Sequence, residues 1–348
     1  MGNQRPRVGG GKWLGVFLVL LVLGTVLVGC GLNEKPTNSS QNRQKETSTN
    51  TTSNRQLVLS SERSQVLVYF ATMDKEFLLP LTIDINPTKE VAKVAVEKLL
   101  AGPNNKFAAA TVPEGTKLKD IYFAETSGTI YVELTKSFLE LADEQEVQLA
   151  LDSLTYTLTE LPGVEEVRIA VEGGTPEELH GIPLGESFKR EHGVNFRGKL
   201  QGDGEQIAIY FSDENAMFMV PVTIEIPAGL GVLDKAQLAM KELLQGPPKG
   251  SSLNPVLWKG TKVISLEWNE TERVLFVNFN RDFVGYGGGS TFEGQLVNAI
   301  TCTLTGLPEV EKVQILIEGA KWDYLPEGTD IYEPLGKVEK FNYSSQPS

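Results

Sequence analysis

The chain contains one short stretch twice, and this duplication restricts its fold more than any other feature of the sequence. The two copies read EKLLAGP at residues 97–103 and KELLQGP at residues 241–247. In each copy, apolar residues at helical spacing lead to a Gly, which can adopt a left-handed conformation at a helix end, and then to a Pro, which cannot continue the helix. The sequence therefore predicts the end of an equivalent helix in each of two domains.

Other marks of the two copies follow in the same order at a nearly constant spacing. Each copy has two apolar strands before the helix, then a Gly-Thr pair at Gly115 and Gly260, a hairpin, a second helix and a last strand. In the hairpin, Ile130, Val132 and Leu134 alternate with polar residues, which predicts one buried and one solvated face. This order predicts an α+β fold with two tandem ββαββαβ domains, each a mostly antiparallel sheet covered by two helices on one face.

Local signals predict where the helices begin. We expect the first helix of copy one to start near Pro87 or Thr88, because Pro favours the first turn of a helix. The second helix of each copy is predicted to open with a capping box, formed by Asp143 with Glu146 and by Ser290 with Glu293.

Prolines and extensions mark the borders of each predicted sheet. Pro80 and Pro221 lie within the second strand of their copies, and since Pro cannot donate to a ladder, each predicts an edge strand or a bulge. Residues 174–205 follow the last strand of copy one, and a similar extension with a Pro-Leu-Gly motif at residues 334–336 follows copy two. We expect each extension to wrap its own domain.

The beginning of the chain is typical of a bacterial lipoprotein. Three basic residues precede an apolar run at residues 13–28, which is shorter than the about 20 residues that span a bilayer. The run ends in LVGC at residues 27–30, which resembles a lipobox and predicts that Cys30 becomes the lipidated first residue. An uncleaved N-terminal anchor is the alternative, and both interpretations place the rest of the chain outside the cytoplasmic membrane.

Charge and composition exclude several classes of function. The formal net charge is −13, and such a field repels nucleic acid and anionic lipid. The chain has only two Cys and two His, which are too few for most metal or thiol chemistry. We therefore predict no nucleic-acid partner, no metal site and no cofactor.

A few residues were candidates for chemistry. Cys302 falls within the second helix of copy two, where a lone Cys is more often a buried small residue than a nucleophile. His180 and His192 lie in the extension of copy one without a companion at metal-ligand spacing, so we interpret them as surface residues. Glu172 and Glu318 each end the last strand of a copy, and local pairing is favoured over a catalytic carboxylate pair. The sequence thus predicts no catalytic residue.

The ordered set of motifs resembles the GerMN domain of sporulation and spore-germination proteins. The resemblance rests on the leucine pair before Gly-Pro, the Gly-Thr that opens a hairpin, and a last strand that ends in Glu-Gly, and it covers residues 66–173 and 207–319. Together with the lipobox, the whole chain resembles a lipoprotein with tandem GerMN domains. Copy two departs from copy one at Trp258-Lys259 and in a loop at residues 285–290, so the two copies need not be equivalent as binding surfaces.

The resemblance implies a domain order. Residues 1–29 would be a lipoprotein signal peptide, residues 30–62 a disordered polar tether, residues 63–200 the first GerMN domain with its extension, and residues 201–348 the second. Proteins of this family are similar to ring-building modules that associate side by side, and they carry no catalytic residues to transfer.

The function that the resemblance implies is non-enzymatic. We expect a lipid-anchored protein on the outer face of the cytoplasmic membrane, which in a sporulating cell faces the intermembrane space. It would bind other sporulation or cell-envelope proteins as a scaffold or channel component. One alternative is a cell-wall remodelling enzyme that uses Glu172 or Glu318, and another is a solute-binding lipoprotein with a closed apolar pocket.

Replacing Cys30 by Ala tests the predicted anchor. The variant lacks the thiol that would carry the lipid, so metabolic labelling with palmitate should be lost while the wild-type chain is labelled. A Cys30→Ala variant that still incorporates palmitate would contradict the lipoprotein interpretation.

Overall fold

Each repeat of the chain folds into a hairpin, two helices and a four-stranded sheet. The computed structural model describes residues 62–198, 204–338 and 340–343. The predicted signal peptide at residues 1–29, with Cys30, and all but the last residue of the predicted tether lie outside this part of the chain. Within it, no helix is both long and apolar enough to cross a membrane.

The elements follow the same order in both repeats. The first repeat consists of β1 (Arg63–Ala71), β2 (Leu78–Thr88), α1 (Val91–Leu100), β3 (Leu118–Ala124), β4 (Thr129–Leu134), α2 (Glu144–Leu158) and β5 (Glu166–Val171). Its extension adds three short strands, β6 (Glu178–Leu179), β7 (Ile182–Pro183) and β8 (Phe188–Lys189). The second repeat consists of β9 (Glu205–Ser212), β10 (Met219–Ile226), α3 (Val232–Gln245), β11 (Val263–Asn269), β12 (Val274–Phe279), α4 (Gly289–Thr305) and β13 (Lys312–Ile317), with β14 (Leu335–Gly336) in its extension.

The predicted α+β class and the tandem ββαββαβ order are confirmed, and the sheets show one further division. The first hairpin of each repeat, β1–β2 or β9–β10, forms a two-stranded sheet of its own. The remaining strands form sheets in the order β3-β4-β5-β8 and β11-β12-β13-β14. The neighbours β4 and β5 are parallel, as are β12 and β13, because a helix carries the chain back between them.

The helices contact both the hairpin and the sheet of their repeat, and they supply much of the core. Leu151, Leu154 and Leu158 of α2 are fully buried, as the helical spacing predicts. Burying a leucine side chain stabilises a fold by roughly 1.5–3 kcal/mol. Toward the hairpin, the amide of Tyr69 donates to Oγ1 of Thr157 at 3.0 Å. The helix therefore ties the hairpin to the rest of the repeat.

The ends of the first helices are confirmed, whereas the predicted start is wrong. Gly102 and Gly246 follow α1 and α3 with φ of 77° and 87°, the left-handed region that favours Gly. Pro87, however, lies in β2, and α1 begins only at Val91. A Pro at the end of an edge strand has the same restricted φ as a Pro in the first turn of a helix. The presence of Pro87 alone therefore cannot distinguish a strand end from a helix start.

Only one of the two predicted capping boxes is present. Oδ1 of Asp143 accepts a hydrogen bond from the amide of Glu146 at 2.9 Å at the start of α2. Ser290 does not cap α4, because that helix already begins at Gly289. Glu293 is instead fully buried, and its carboxylate accepts hydrogen bonds from the hydroxyl of Tyr286 and from two amides of the C-terminal extension.

The buried carboxylate of Glu293 holds the extension of the second repeat against α4. The amides of Glu327 and Thr329 both donate to it at 2.7 Å. Burial acts to raise the pKa of Glu293, but hydrogen bonds from Thr329, Tyr286 and Glu327 outweigh burial, and the pKa is lowered. The charged form is therefore the one that the folded state stabilises.

Two asparagines join the repeats. Asn195 and Asn342 both have a left-handed backbone, with φ of 54° and 46°. Oδ1 of Asn195 accepts from the amide of Leu78 at 2.7 Å, and its Nδ2 donates to the carbonyls of Leu78 and Pro221 at 2.8 and 2.7 Å. One side chain thus binds β2 of the first repeat and β10 of the second.

Asn342 forms the same bridge with the strands exchanged. Its Oδ1 accepts from the amide of Met219 at 2.8 Å, and its Nδ2 donates to the carbonyls of Met219 and Pro80 at 2.6 and 2.9 Å. The predicted edge positions of Pro80 and Pro221 are confirmed, since β2 and β10 each pair with a single strand. We call the bridges made by Asn195 and Asn342 the asparagine clasp.

The extensions pack first on their own repeat and then cross to the other. The short strands β8 and β14 pair with β5 and β13 of their own repeats, as expected. Farther along, the carbonyl of Val194 accepts from the amide of Thr223 at 3.1 Å, and the carbonyl of Phe341 accepts from the amide of Thr82 at 3.2 Å. The prediction that each extension wraps its own domain is wrong for these last residues, because the free amides that they pair with belong to the other repeat.

The asparagine clasp predicts a specific stability difference. Replacing Asn195 by Gly removes its three hydrogen bonds but keeps the left-handed φ at no steric cost, so we expect a loss of about 1–3 kcal/mol. Replacing it by Ala adds the cost of a left-handed Cβ, about 1–2 kcal/mol more. Chemical denaturation of both variants measures the difference, and an Ala variant as stable as the wild-type chain would contradict the clasp.

The environment of Glu293 predicts a pH dependence. Because the pKa of Glu293 is lowered, its contribution to the free energy of unfolding is present above the pKa of an ordinary carboxyl and disappears as the pH falls below about 4. We therefore expect Glu293→Gln to destabilise the chain by about 1–3 kcal/mol at neutral pH. The difference from the wild-type chain should shrink in acid. Denaturation at several pH values tests this, with the exposed Glu144→Gln as the control that should show neither effect.

Candidate interaction surface

The two repeats differ in charge and exposed apolar surface along the flank between the first helix and the edge of the four-stranded sheet. Strands β3 and β11 are the outermost strands of their sheets, and no described strand pairs with their free sides. A free strand edge presents amides and carbonyls that can pair with another chain. The side chains along each flank therefore decide whether such pairing is opposed or favoured.

In the first repeat the flank is covered by charge. Nζ of Lys119 on β3 lies 2.8 Å from Oε2 of Glu172 and 3.2 Å from Oε1 of Glu133. The hydrogen bonds from Lys119 to Glu172 and Glu133 raise the pKa of the lysine, and the one to Glu172 lowers the pKa of that carboxylate. On the helix side, Lys89 and Lys93 are exposed. Charged side chains of this kind are a common protection of edge strands.

In the second repeat the same flank is an open apolar groove. It has a volume of about 1100 Å³ and runs between α3 and β11. Six apolar residues line it: Leu233, Met240, Leu244, Val263, Ile264 and Leu266. Helix α3 packs against β11 along this groove, so the free edge of the strand lies beside an apolar helix surface. We call this site the α3–β11 groove.

Equivalent positions in the two repeats account for the contrast. Ile264 takes the place of Lys119 and is 52% exposed, and Leu233 takes the place of Lys89 and is 42% exposed. Close to the start of β11, Trp258 is 47% exposed where the first repeat has a Pro. Leu233 and Ile264 are large apolar side chains that are both exposed and both line the groove, which is typical of a surface that another molecule covers.

Two cationic side chains lie in the wall of the α3–β11 groove. Lys241 on α3 and Lys262 just before β11 are exposed, and neither forms an ion pair with a residue that the structure describes. Asp234 near the start of α3 is the third charged residue of the lining. In a chain with a formal net charge of −13, this groove carries a local excess of positive charge.

The candidate residues for chemistry are distributed over the molecule and do not form one site. Cys302 is buried in α4, and burial raises the pKa of its thiol to about 12, as expected for a structural residue. Glu172 is held by Lys119 and by the amide of Lys136 at 3.0 Å. Glu318 accepts from the amide of Arg281 at 2.7 Å. The expected local pairing of both carboxylates is confirmed. Cys30, the predicted lipidation site, lies outside the described residues.

The two histidines are engaged locally. Nε2 of His180 lies 2.8 Å from the carbonyl oxygen of Leu141, and the ring of His192 packs on Phe196 with centroids 4.9 Å apart. Among the residues that the structure describes, no group of three His, Cys, Asp or Glu side chains could hold a metal ion.

Sequence reasoning missed the α3–β11 groove. The departure at Trp258 was visible in the sequence, but the loss of charge at Leu233 and Ile264 was not interpreted. Aligning the two copies position by position would have shown that a lysine is replaced by an apolar residue at both places. What the sequence could not show is that these two positions, on different elements, form one surface.

Comparisons with known proteins place these features in a family. The family described as "Sporulation and spore germination" (Germane) matches residues 67–177 and 208–323. The chain is 26% identical over 299 residues to the spore germination protein GerM of Bacillus subtilis (strain 168). The aligned residues cover 81% of this chain and 80% of that protein. In fold it is similar to the solved tandem GerMN domains of the sporulation protein GerM from Bacillus subtilis, with a TM-score of 0.60, 22% identity, and coverage of 80% of this chain and 100% of that one. The chain therefore belongs to the Germane family of sporulation and spore germination proteins, and it carries the family's domain twice.

Proposed function

We propose that this protein is a sporulation or germination factor that is anchored to the outer face of the cytoplasmic membrane and acts by binding other proteins, not by catalysis. Its family and its similarity to a spore germination protein support the process. The predicted lipid on Cys30 supports the location. The partners would be other extracytoplasmic proteins of the sporulating cell or its envelope.

The observation that carries the proposal is the α3–β11 groove. A free strand edge and exposed apolar residues occur together in the second repeat, and the equivalent flank of the first repeat is covered by charges. A protein whose only task was to fold stably would gain from the same protection in both repeats. An unprotected edge in one repeat is what a docking surface requires.

The predicted tether fits this role. A coil of the length of residues 30–62 has a root-mean-square span of roughly 30 Å, which keeps the folded repeats near the membrane but lets them move sideways. Confinement near the membrane raises the effective concentration of the groove for any partner in the same space.

The local bonding of the carboxylates counts against the cell-wall enzyme. A glycosidase-type site needs two carboxyl groups about 5–10 Å apart across a cleft. Glu172 does share Lys119 with Glu133, but the hydrogen bond from Lys119 lowers the pKa of Glu172, which opposes a role as a general acid. Glu318 lies in the other repeat, where it accepts a hydrogen bond from the amide of Arg281. The proposed function therefore involves no bond-making step.

Photocrosslinking in sporulating cells tests the proposal. A crosslinking amino acid at position 237 lies on the exposed face of α3 beside the groove, and position 93 is its equivalent on α1. We expect protein adducts from Gln237 and few or none from Lys93. Equal adducts from both positions, or none from either, would contradict binding through the groove.

A further inference from the structure

We propose that the α3–β11 groove binds an extended segment of a partner protein, which adds to β11 as a further strand. The segment would place apolar side chains at alternate positions into the groove and carry acidic residues that face Lys241 and Lys262. This inference rests on the proposed function and specifies the chemistry of the partner at the same site.

The main chain of β11 supplies the first part of the argument. Its residues pair with β12 in antiparallel register on one side only, with a shift of register between Val263 and Ser265, and no described strand occupies the other side. An extended peptide at that side would pair with the free amides and carbonyls whatever its sequence. Antiparallel and parallel pairing both place successive side chains on opposite faces, so every second side chain of the peptide faces the same way.

The helix beside the strand supplies the second part. Helix α3 packs against β11, and Leu233, Met240 and Leu244 line the groove on the helix side. A strand added at the free edge of β11 would therefore extend the sheet beside α3, with one set of its side chains against the apolar residues of the groove. A peptide helix would leave the free main-chain groups of β11 unpaired, so the observations favour an extended occupant.

Charge supplies the third part. Lys241 and Lys262 lie in the walls of the groove with no ionic partner among the described residues, while the formal net charge of the chain is −13. The chain as a whole repels acidic molecules, and the groove attracts them locally. The occupant with the best complementarity is thus an apolar segment with acidic residues.

One other site and one other occupant fit less well. The flank of the first repeat cannot act in the same way, because Lys119 with its ion pairs to Glu133 and Glu172 occupies the position of Ile264. A second copy of this chain would bring together two molecules that each have a net charge of −13.

Selection of peptides on the full chain, purified in detergent, tests the inference. A displayed library of random decapeptides is enriched on the wild-type chain and counter-selected on the Ile264→Lys variant, which gives β11 the residue that β3 has. Ile264 is half exposed, so the variant should fold. We expect selected peptides with alternating apolar residues and acidic ends, which bind the wild-type chain about tenfold or more tightly than the variant.

Two further measurements on a selected peptide separate strand addition from other modes. Every second amide of an added strand faces β11, and the amides between them face away. N-methylation of the amides that face β11 should weaken binding about tenfold or more, whereas N-methylation of the others should weaken it less than about twofold. The double variant Lys241→Glu, Lys262→Glu should weaken binding about tenfold or more, whereas the control Lys93→Gln in the first repeat should not change it.

Each contrary outcome overturns the inference. Peptides that bind the wild-type chain and Ile264→Lys equally well exclude the groove, and indifference to both methylated sets excludes strand addition. A dimer in analytical ultracentrifugation that Ile264→Lys dissociates would show a second copy in the groove. If position 237 gives protein adducts but the selection yields no peptide, the proposed function is retained and strand addition is rejected. If both fail, the proposed function falls as well.

Discussion

The amides and carbonyls along the edge of a strand must be paired or hydrated, and the molecule meets this constraint in three ways at four edge strands. At β2 and β10, prolines remove donors and the side chains of Asn195 and Asn342 replace the missing neighbour. At β3, an ion-paired lysine covers the edge. At β11 the edge is left beside an apolar groove. The first solution joins the repeats, the second places charge along the edge of β3, and the third is the site at which we propose that a partner binds.

Much of the fold could be predicted from the sequence, because the signals involved are local. Apolar residues at helical spacing, such as Leu151, Leu154 and Leu158, are buried as expected, and Gly102 and Gly246 end their helices in the left-handed region. The duplication strengthens these predictions of helices and strands, since a pattern found twice in one order is rarely accidental. These features depend on residues a few positions apart.

The failures have a common physical origin. Pro87 satisfies its restricted φ in a strand as well as in a helix, and only the pairing partner decides between them. Glu293 has the spacing of a capping box, but the extension that it binds returns from more than thirty residues away. The asparagine clasp and the α3–β11 groove likewise join residues that are distant along the chain. Sequence periodicity carries no information about such contacts, and two copies compared position by position supply only part of it.

The reciprocal form of the asparagine clasp has a consequence for how the chain is made. A polypeptide is synthesised from its N-terminus, so β2 is complete long before Asn342 is added. Until then, the edge of β2 beside Pro80 lacks the side chain that pairs with it in the finished molecule. The first repeat therefore reaches its final state only after Asn342, which lies 262 residues beyond Pro80, has been added. The two repeats are alike in sequence, but the edge of the first is completed by a residue that follows the second.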